Sequence, residues 1–81
     1  MIKVHVDYNE RELLREGIET IVVDLGGKNA EISTESLEEG ARVVLSDGIT
    51  ECEAVLRHGR DYDWVADVIE GTTRDLPRDD I

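Results

Sequence analysis

The chain has 81 residues, enough for one hydrophobic core and too few for two, because a chain this short buries only about 60% of its unfolded surface. Twenty Asp and Glu against nine Lys and Arg give a formal net charge of −11, which disfavours direct binding to nucleic acid or to an anionic membrane. The composition is 40% apolar with one proline, as in chains that fold. No run of about 18 apolar residues could span a membrane, and we expect a cytoplasmic protein.

The N-terminal half predicts three strands and a short helix. Residues 2–7 alternate between apolar and polar side chains, the pattern of a half-buried strand. Residues 9–17 begin with a capping Asn and end with Gly, which favours one or two helical turns. Residues 18–25 predict a second strand. The Gly26-Gly27 pair then suggests a hairpin turn into a further strand over residues 28–32.

The C-terminal half predicts a hairpin. Residues 33–40 combine capping residues with a terminal Gly, which indicates a helical turn or tight loop anchored by Leu37. Residues 41–56 alternate on both sides of an Asp47-Gly48 turn signal, which predicts two antiparallel strands. Alternation returns over residues 64–68, which predicts the last strand of the sheet.

This strand count predicts a mostly β fold. Five or six short strands separated by glycine turns are typical of a small antiparallel barrel or curved sheet, here with one or two short helical turns. We expect residues 1–71 to form this single domain. Residues 72–81 are polar and carry Pro77 and two consecutive aspartates, so we expect them to form a flexible acidic C-terminal tail.

A glycine-led strand over residues 40–48, a second strand over 51–55 and a tryptophan-bearing strand over 64–69 follow one another along the chain. This succession resembles the strand rhythm of SH3-like and Tudor-like small β-barrels. The resemblance implies a barrel that binds peptides or modified side chains. Those families line their groove with several aromatic residues, whereas this chain offers only Tyr8, Tyr62 and Trp64.

Catalysis and metal binding find little support in the residue pattern. The lone Cys52 is in phase with apolar neighbours and is flanked by Glu51 and Glu53, which raise the pKa of a thiol, so we expect a core residue. The two imidazoles, His5 and His58, have no recognisable ligand spacing with Cys52. We therefore expect no enzyme, no cofactor and no metal.

The residues that favour binding are Tyr62, Asp63 and Trp64, which place two aromatic side chains beside a carboxylate. Aromatic side chains are enriched in protein interfaces. The alternative for Trp64 is the core, since it alternates in phase with Ala66 and Val68.

The sequence thus predicts a small acidic module that binds a protein partner through an aromatic and acidic edge. The alternative is an acidic inhibitor, such as an immunity-type protein or DNA mimic, that neutralises a basic partner. A third interpretation assigns the charge to solubility and to resistance against edge-to-edge strand pairing. A free edge strand could also pair two copies into a homodimer.

Overall fold

A computed structural model describes residues 2–10, 17–33, 35, 37–60 and 63–76. Within these ranges the chain forms six strands and one short 3-10 helix, Gly27–Asn29. No helix in these ranges has the length and apolar character needed to cross a bilayer. The strands are β1 (Ile2–His5), β2 (Thr20–Val23), β3 (Arg42–Ser46), β4 (Thr50–Arg57), β5 (Trp64–Val68) and β6 (Arg74–Asp75).

The strands form one mixed sheet that curls into a half-barrel. Their order is β1-β3-β4-β5-β2, and β6 pairs with β4 beyond the end of β5. The expected purely antiparallel sheet is wrong, because β1 runs parallel to β3. Parallel neighbours need a long crossover. The chain between β1 and β3 supplies it while also forming β2 on the opposite edge of the sheet.

The predicted hairpin over residues 41–56 is confirmed. Strands β3 and β4 pair antiparallel, with Leu45 opposite Cys52. The turn between them contains Gly48 at φ +92°, a conformation that glycine adopts without steric cost.

The predicted strand over residues 28–32 is wrong. Gly27, at φ +56°, begins the 3-10 helix instead, and the helix turns the Asn29 side chain into the protein, where it is 4% exposed. The hydrogen bonds of that buried amide replace those of a hairpin. The predicted helix over residues 9–17 falls largely outside the described residues.

The start of the predicted flexible tail contacts the sheet. Arg74 lies opposite Glu51 in the pairing of β6 with β4, and the backbone N–H of Leu76 donates to the carbonyl of Ile49 at 2.7 Å. Residues 77–81 lie outside the described residues, and the flexibility of the tail stays a prediction.

The inner face of the half-barrel holds the hydrophobic core. Alternate residues of five strands point there, as the period of two in a strand requires. Leu37 closes part of it, so its predicted role as the anchor of its loop is confirmed. The buried members are Val4, Val6, Ile21, Val23, Leu37, Val43, Leu45, Cys52, Ala54, Leu56 and Ala66.

The opposite side of the sheet, which we call the outer face, is largely charged. It carries four basic and three acidic side chains from the strands, and each carboxylate makes an ion pair there. The basic residues are Lys3, Arg42, Arg57 and Arg74, and the acidic residues are Glu51, Glu53 and Asp67.

Candidate functional site

Of the three predicted binding residues, the structure describes Asp63 and Trp64, which lie next to each other at the start of β5. Trp64 is half-buried at the start of β5, opposite Val23 of β2, and packs against the core. Its ring contacts the exposed His58 with the ring centroids 4.4 Å apart. Asp63 is exposed beside it, and Tyr62 lies outside the described residues. An aromatic pair next to an exposed carboxylate therefore marks this end of β5.

The two edge strands of the sheet, β1 and β2, approach each other near Asn29. The Asn29 side-chain Nδ2 donates to the carbonyl oxygens of His5 and Asp24 at 2.6 and 2.7 Å, and its Oδ1 accepts from the His5 backbone N–H at 2.7 Å. On the β2 side, the backbone N–H of Val22 donates to the carbonyl of Glu10 at 3.0 Å. We call this gap between the edge strands the seam.

Two adjoining hollows follow the seam. One, of about 260 Å³, is lined by Glu10, Val22, Val23, Asp24, Leu25 and Asp63. The other, of about 190 Å³, shares three of these residues and extends to the end of β1, where Asp7 and Val6 line it. Each is smaller than the roughly 300–1,000 Å³ of a small-molecule pocket. Together they form an open groove rather than an enclosed ligand site.

Four carboxylates surround this groove, and we call it the acidic groove: Asp7, Glu10, Asp24 and Asp63. Oδ1 of Asp7 accepts from the backbone N–H of Asn9 and Oδ1 of Asp24 from that of Gly26, both at 2.9 Å. Among the lysines and arginines whose side chains the structure describes, none lies within ion-pair distance of the four. The described residues therefore leave the negative charge of the groove uncompensated.

The floor of the acidic groove is apolar, since Val6, Val22, Val23 and Leu25 line it between the carboxylates. This combination fits the side chain of lysine or arginine, whose aliphatic stem packs on apolar surface while its charged head reaches outward. Hydrogen bonds from such a cation to carboxylates are about twice as strong as neutral ones. The groove can therefore hold basic side chains of a partner.

Cys52 is a core residue, 2% exposed. Its Sγ lies 3.8 Å from the hydroxyl oxygen of Tyr8, and that hydroxyl is also within hydrogen-bond distance of the carbonyl oxygens of Leu45 and Thr50. Burial raises the pKa of the Cys52 thiol and is the largest cause of the raised pKa of Tyr8. Both groups are therefore held in their neutral forms, which suits packing and not nucleophilic attack. Among the described residues, no three His, Cys, Asp or Glu side chains are grouped to hold a metal ion.

Sequence reasoning found Asp63 but not the other three carboxylates of the acidic groove. A signal was present, since Asp7 and Asp24 each follow directly on an apolar strand segment. Their convergence depends on the two edge strands meeting at Asn29, which the expected antiparallel barrel did not include.

No protein-family model, characterised protein or solved structure matches this chain significantly. The curled sheet is compatible with a small β-barrel fold.

Proposed function

We propose that this protein is a small protein-binding module that takes a basic segment of a partner along the acidic groove, with the Asp63 and Trp64 edge at one end. The observation that carries the proposal is the convergence of four carboxylates on an apolar floor from which the described cations are absent. A basic protein segment satisfies both features, because its side chains combine apolar stems with positive charge.

The outer face differs from the acidic groove, because the carboxylates of the outer face have cationic partners within the chain. There, Asp67 accepts a hydrogen bond from Arg57 at 2.9 Å, and Glu53 lies 3.5 Å from Arg42. Ionised carboxylates placed close together without cationic partners repel one another. A cationic partner would relieve that cost, so the acidic groove is the surface on which a partner gains most.

Trp64 and His58 would extend the contact beyond the groove. Trp64 is half-buried, and one part of its ring contacts His58 at the surface. Aromatic side chains supply a large contact area at low entropic cost, and such residues are enriched among those that dominate binding energy. Tyr62 remains a predicted member of this edge. In an SH3-like interpretation of the half-barrel, the basic segment would follow the seam instead of a row of aromatic side chains.

The test is capture of partners from the source lysate, together with titration by a short arginine-rich peptide. The variant is Glu10→Gln, Asp24→Asn and Asp63→Asn combined. It removes three charges, while the amide oxygen that it introduces at position 24 can still accept from the Gly26 N–H. We expect at least a tenfold loss of peptide affinity, because each charge-assisted hydrogen bond contributes about 1.5–3 kcal/mol.

The matched control is Glu35→Gln, Glu38→Gln and Glu70→Gln combined, since these exposed residues lie outside the groove and carry the same total charge. It should bind the peptide and the captured partner nearly as wild type does. Equal weakening by both triple variants would mean that only net charge matters and would contradict a defined groove. Circular dichroism of each variant verifies that it is folded.

The second candidate is an acidic inhibitor that covers a basic surface on a nucleic-acid-binding protein. The distribution of charge favours it: setting aside the four basic and three acidic outer-face residues leaves five basic and seventeen acidic residues, a net charge of −12 on the rest of the molecule. Such a broad acidic surface would make association fall steeply with salt. Competition between this protein and DNA for the captured partner, weakened equally by both triple variants, would favour the inhibitor over the groove.

A further inference from the structure

On the outer face, the strand register places side chains of three adjacent strands in short lines across the sheet, which we call ranks. Across β1, β3 and β4, Lys3 lies beside Val44, and Val44 beside Glu53. A second rank lies two residues back along β3 and is shifted by one strand across the sheet. In it, Arg42 lies beside Val55, and Val55 beside Asp67. Each rank therefore reads cation, valine, carboxylate. Successive ranks stack into three parallel rows.

We name these rows for their residues. The cation row is Lys3, Arg42 and Arg57, the valine row is Val44 and Val55, and the carboxylate row is Glu53 and Asp67. Val65, which follows in line with the two valines, is 0% exposed and does not belong to the contact surface. Val44 and Val55 are half-buried in the middle of the sheet, with no described element packed over them. The Lys3 and Arg42 side chains are 62% and 57% exposed, whereas the Glu53 and Asp67 side chains are 23% and 20% exposed. Lys3 and Arg42 thus extend outward beside the two valines, whereas the Arg57 side chain is only 22% exposed.

We propose that the outer face is the contact surface for a second copy of this chain. A two-fold axis lying along the valine row places the cation row of each copy against the carboxylate row of the other, with valines against valines at the centre. A surface with this property is self-complementary, as a two-fold dimer requires. A pairing of free edge strands would instead have to displace Asn29 and the Glu10 carbonyl from the two edges.

The charge of the remaining surface supports the same choice. The outer face carries four basic and three acidic strand residues, while the rest of the chain carries −12. Two copies repel each other at close range over any strongly acidic surface. Among the surfaces that the described strands form, the outer face has nearly balanced charge, so two copies meet there with less of that repulsion.

The contact is small, because two equally curved sheets that meet by their outer faces touch mainly at their central strands β3 and β4. Interfaces below about 1,200 Å² are characteristic of weak association. The dimer should therefore appear at high micromolar concentrations and be monomeric when dilute.

Sedimentation velocity from micromolar to millimolar concentration tests this inference. Wild type should shift from monomer to dimer, and Arg42→Glu should weaken dimerisation about tenfold or more, since it sets carboxylate against carboxylate. Combining Arg42→Glu with Glu53→Arg exchanges one charge between the two rows, keeps that ion pair within each copy, and should restore dimerisation. Val55→Asp, at a half-buried surface position, should also abolish the dimer.

Two controls separate this proposal from charge effects and from the proposed function. Arg60→Glu makes the same charge change outside the outer face and should dimerise as wild type does. The acidic-groove triple variant should also dimerise normally, so failure of one proposal leaves the other standing. A chain that stays monomeric at millimolar concentration would overturn the inference, and so would a dimer that Arg42→Glu and Val55→Asp leave intact.

Discussion

Asn29 gives β1 hydrogen bonds that a neighbouring strand would otherwise supply. Its amide donates to one carbonyl of β1 and accepts from the N–H of the same residue, His5. It donates in addition to the Asp24 carbonyl beyond the end of β2. A single buried side chain therefore caps one edge strand and ties it to the other. This blocks edge-to-edge pairing at His5 and also shapes the acidic groove.

Replacement of Asn29 by Ala should lower the free energy of unfolding by about 3 kcal/mol, because three part-buried backbone groups lose their partner. Each loss should cost about 1 kcal/mol, the lower end of the range of about 1–3 kcal/mol for a buried group left without a partner. Asn29→Asp should be at least as destabilising, since a carboxylate would face two carbonyl oxygens. Urea unfolding followed by circular dichroism measures both. Asn9→Ala, at an exposed position, is the control and should change stability by less than about 0.5 kcal/mol. A loss at Asn29 no larger than that of the control would show that the seam does not depend on this amide.

Among single residues, those whose role depends on strand alternation could be predicted from the sequence. The phase of Cys52 with Ala54 and Leu56 placed it in the core, where it is found. The role of Asn29 was not predictable, because a buried amide is defined by partners distant in sequence. The sequence around it, Gly26-Gly27-Lys28-Asn29, reads locally as a turn into a strand.

Among the elements, the β3–β4 hairpin depends most on local sequence. Oδ1 of Asp47 accepts from the backbone N–H of Thr50 at 2.7 Å and from that of Ile49 at 2.9 Å. Gly48 supplies the positive φ between them. These contacts are made within four residues, which is why the turn could be identified from the sequence.

Asp47 makes this hairpin sensitive to acid. Hydrogen bonds first from Thr50 and then from Ile49 hold the pKa of the Asp47 carboxyl below its ordinary value. A carboxyl whose pKa is lower in the folded state stabilises that state above its unfolded pKa, and this contribution is lost as the pH falls through the folded pKa. Asp47→Asn should therefore reduce the loss of stability on acidification. At neutral pH, Asp47→Ala should cost about 1 kcal/mol and Asp47→Asn less.

Urea midpoints measured from neutral to acid pH test the Asp47 prediction. Glu70→Gln, at an exposed turn position, should leave the acid dependence as in wild type. If Asp47→Asn has the same acid dependence as wild type, the turn hydrogen bonds do not favour the ionised carboxylate.

Sheet order was the element-level feature that the sequence did not reveal. Strand periodicity identifies which residues are strands and which side chains share a face, and it says little about neighbours. Here β1 pairs with β3 in parallel, across a crossover that contains β2. The two-residue β6 could not be found either, because Arg74–Asp75 has no alternation and joins the sheet through β4.

For the whole molecule, the sequence established the amount of charge and not its arrangement. The value of −11 was readable directly, but its division into a nearly balanced outer face and an acidic remainder follows from strand register. Both proposals depend on that division. Binding of a basic segment requires an acidic groove without cations of its own, whereas dimerisation requires an outer face that carries cations as well as carboxylates.

The stability of the chain should therefore rise with salt. From about 0.01 M to about 1 M NaCl the screening length falls from about 30 Å to about 3 Å, which suppresses repulsion among the carboxylates that lack a cationic partner. The same screening weakens the outer-face ion pairs. A pair with an exposed cation, such as Arg42–Glu53, contributes only about 0–1 kcal/mol, and the more buried Arg57–Asp67 pair is screened less. Repulsion spread over a net charge of −11 should outweigh them.

The midpoints of urea unfolding across this salt range show whether carboxylate repulsion or ion-pair attraction dominates. The two triple variants show where on the molecule the repulsion acts. If the repulsion is concentrated in the acidic groove, the Glu10, Asp24 and Asp63 triple variant should respond less to salt than the Glu35, Glu38 and Glu70 control, although both remove three charges. Equal responses would mean that the repulsion is spread evenly over the surface. A midpoint that falls with salt in the wild-type chain would mean that the outer-face ion pairs dominate, because screening destabilises the fold only where it weakens attraction.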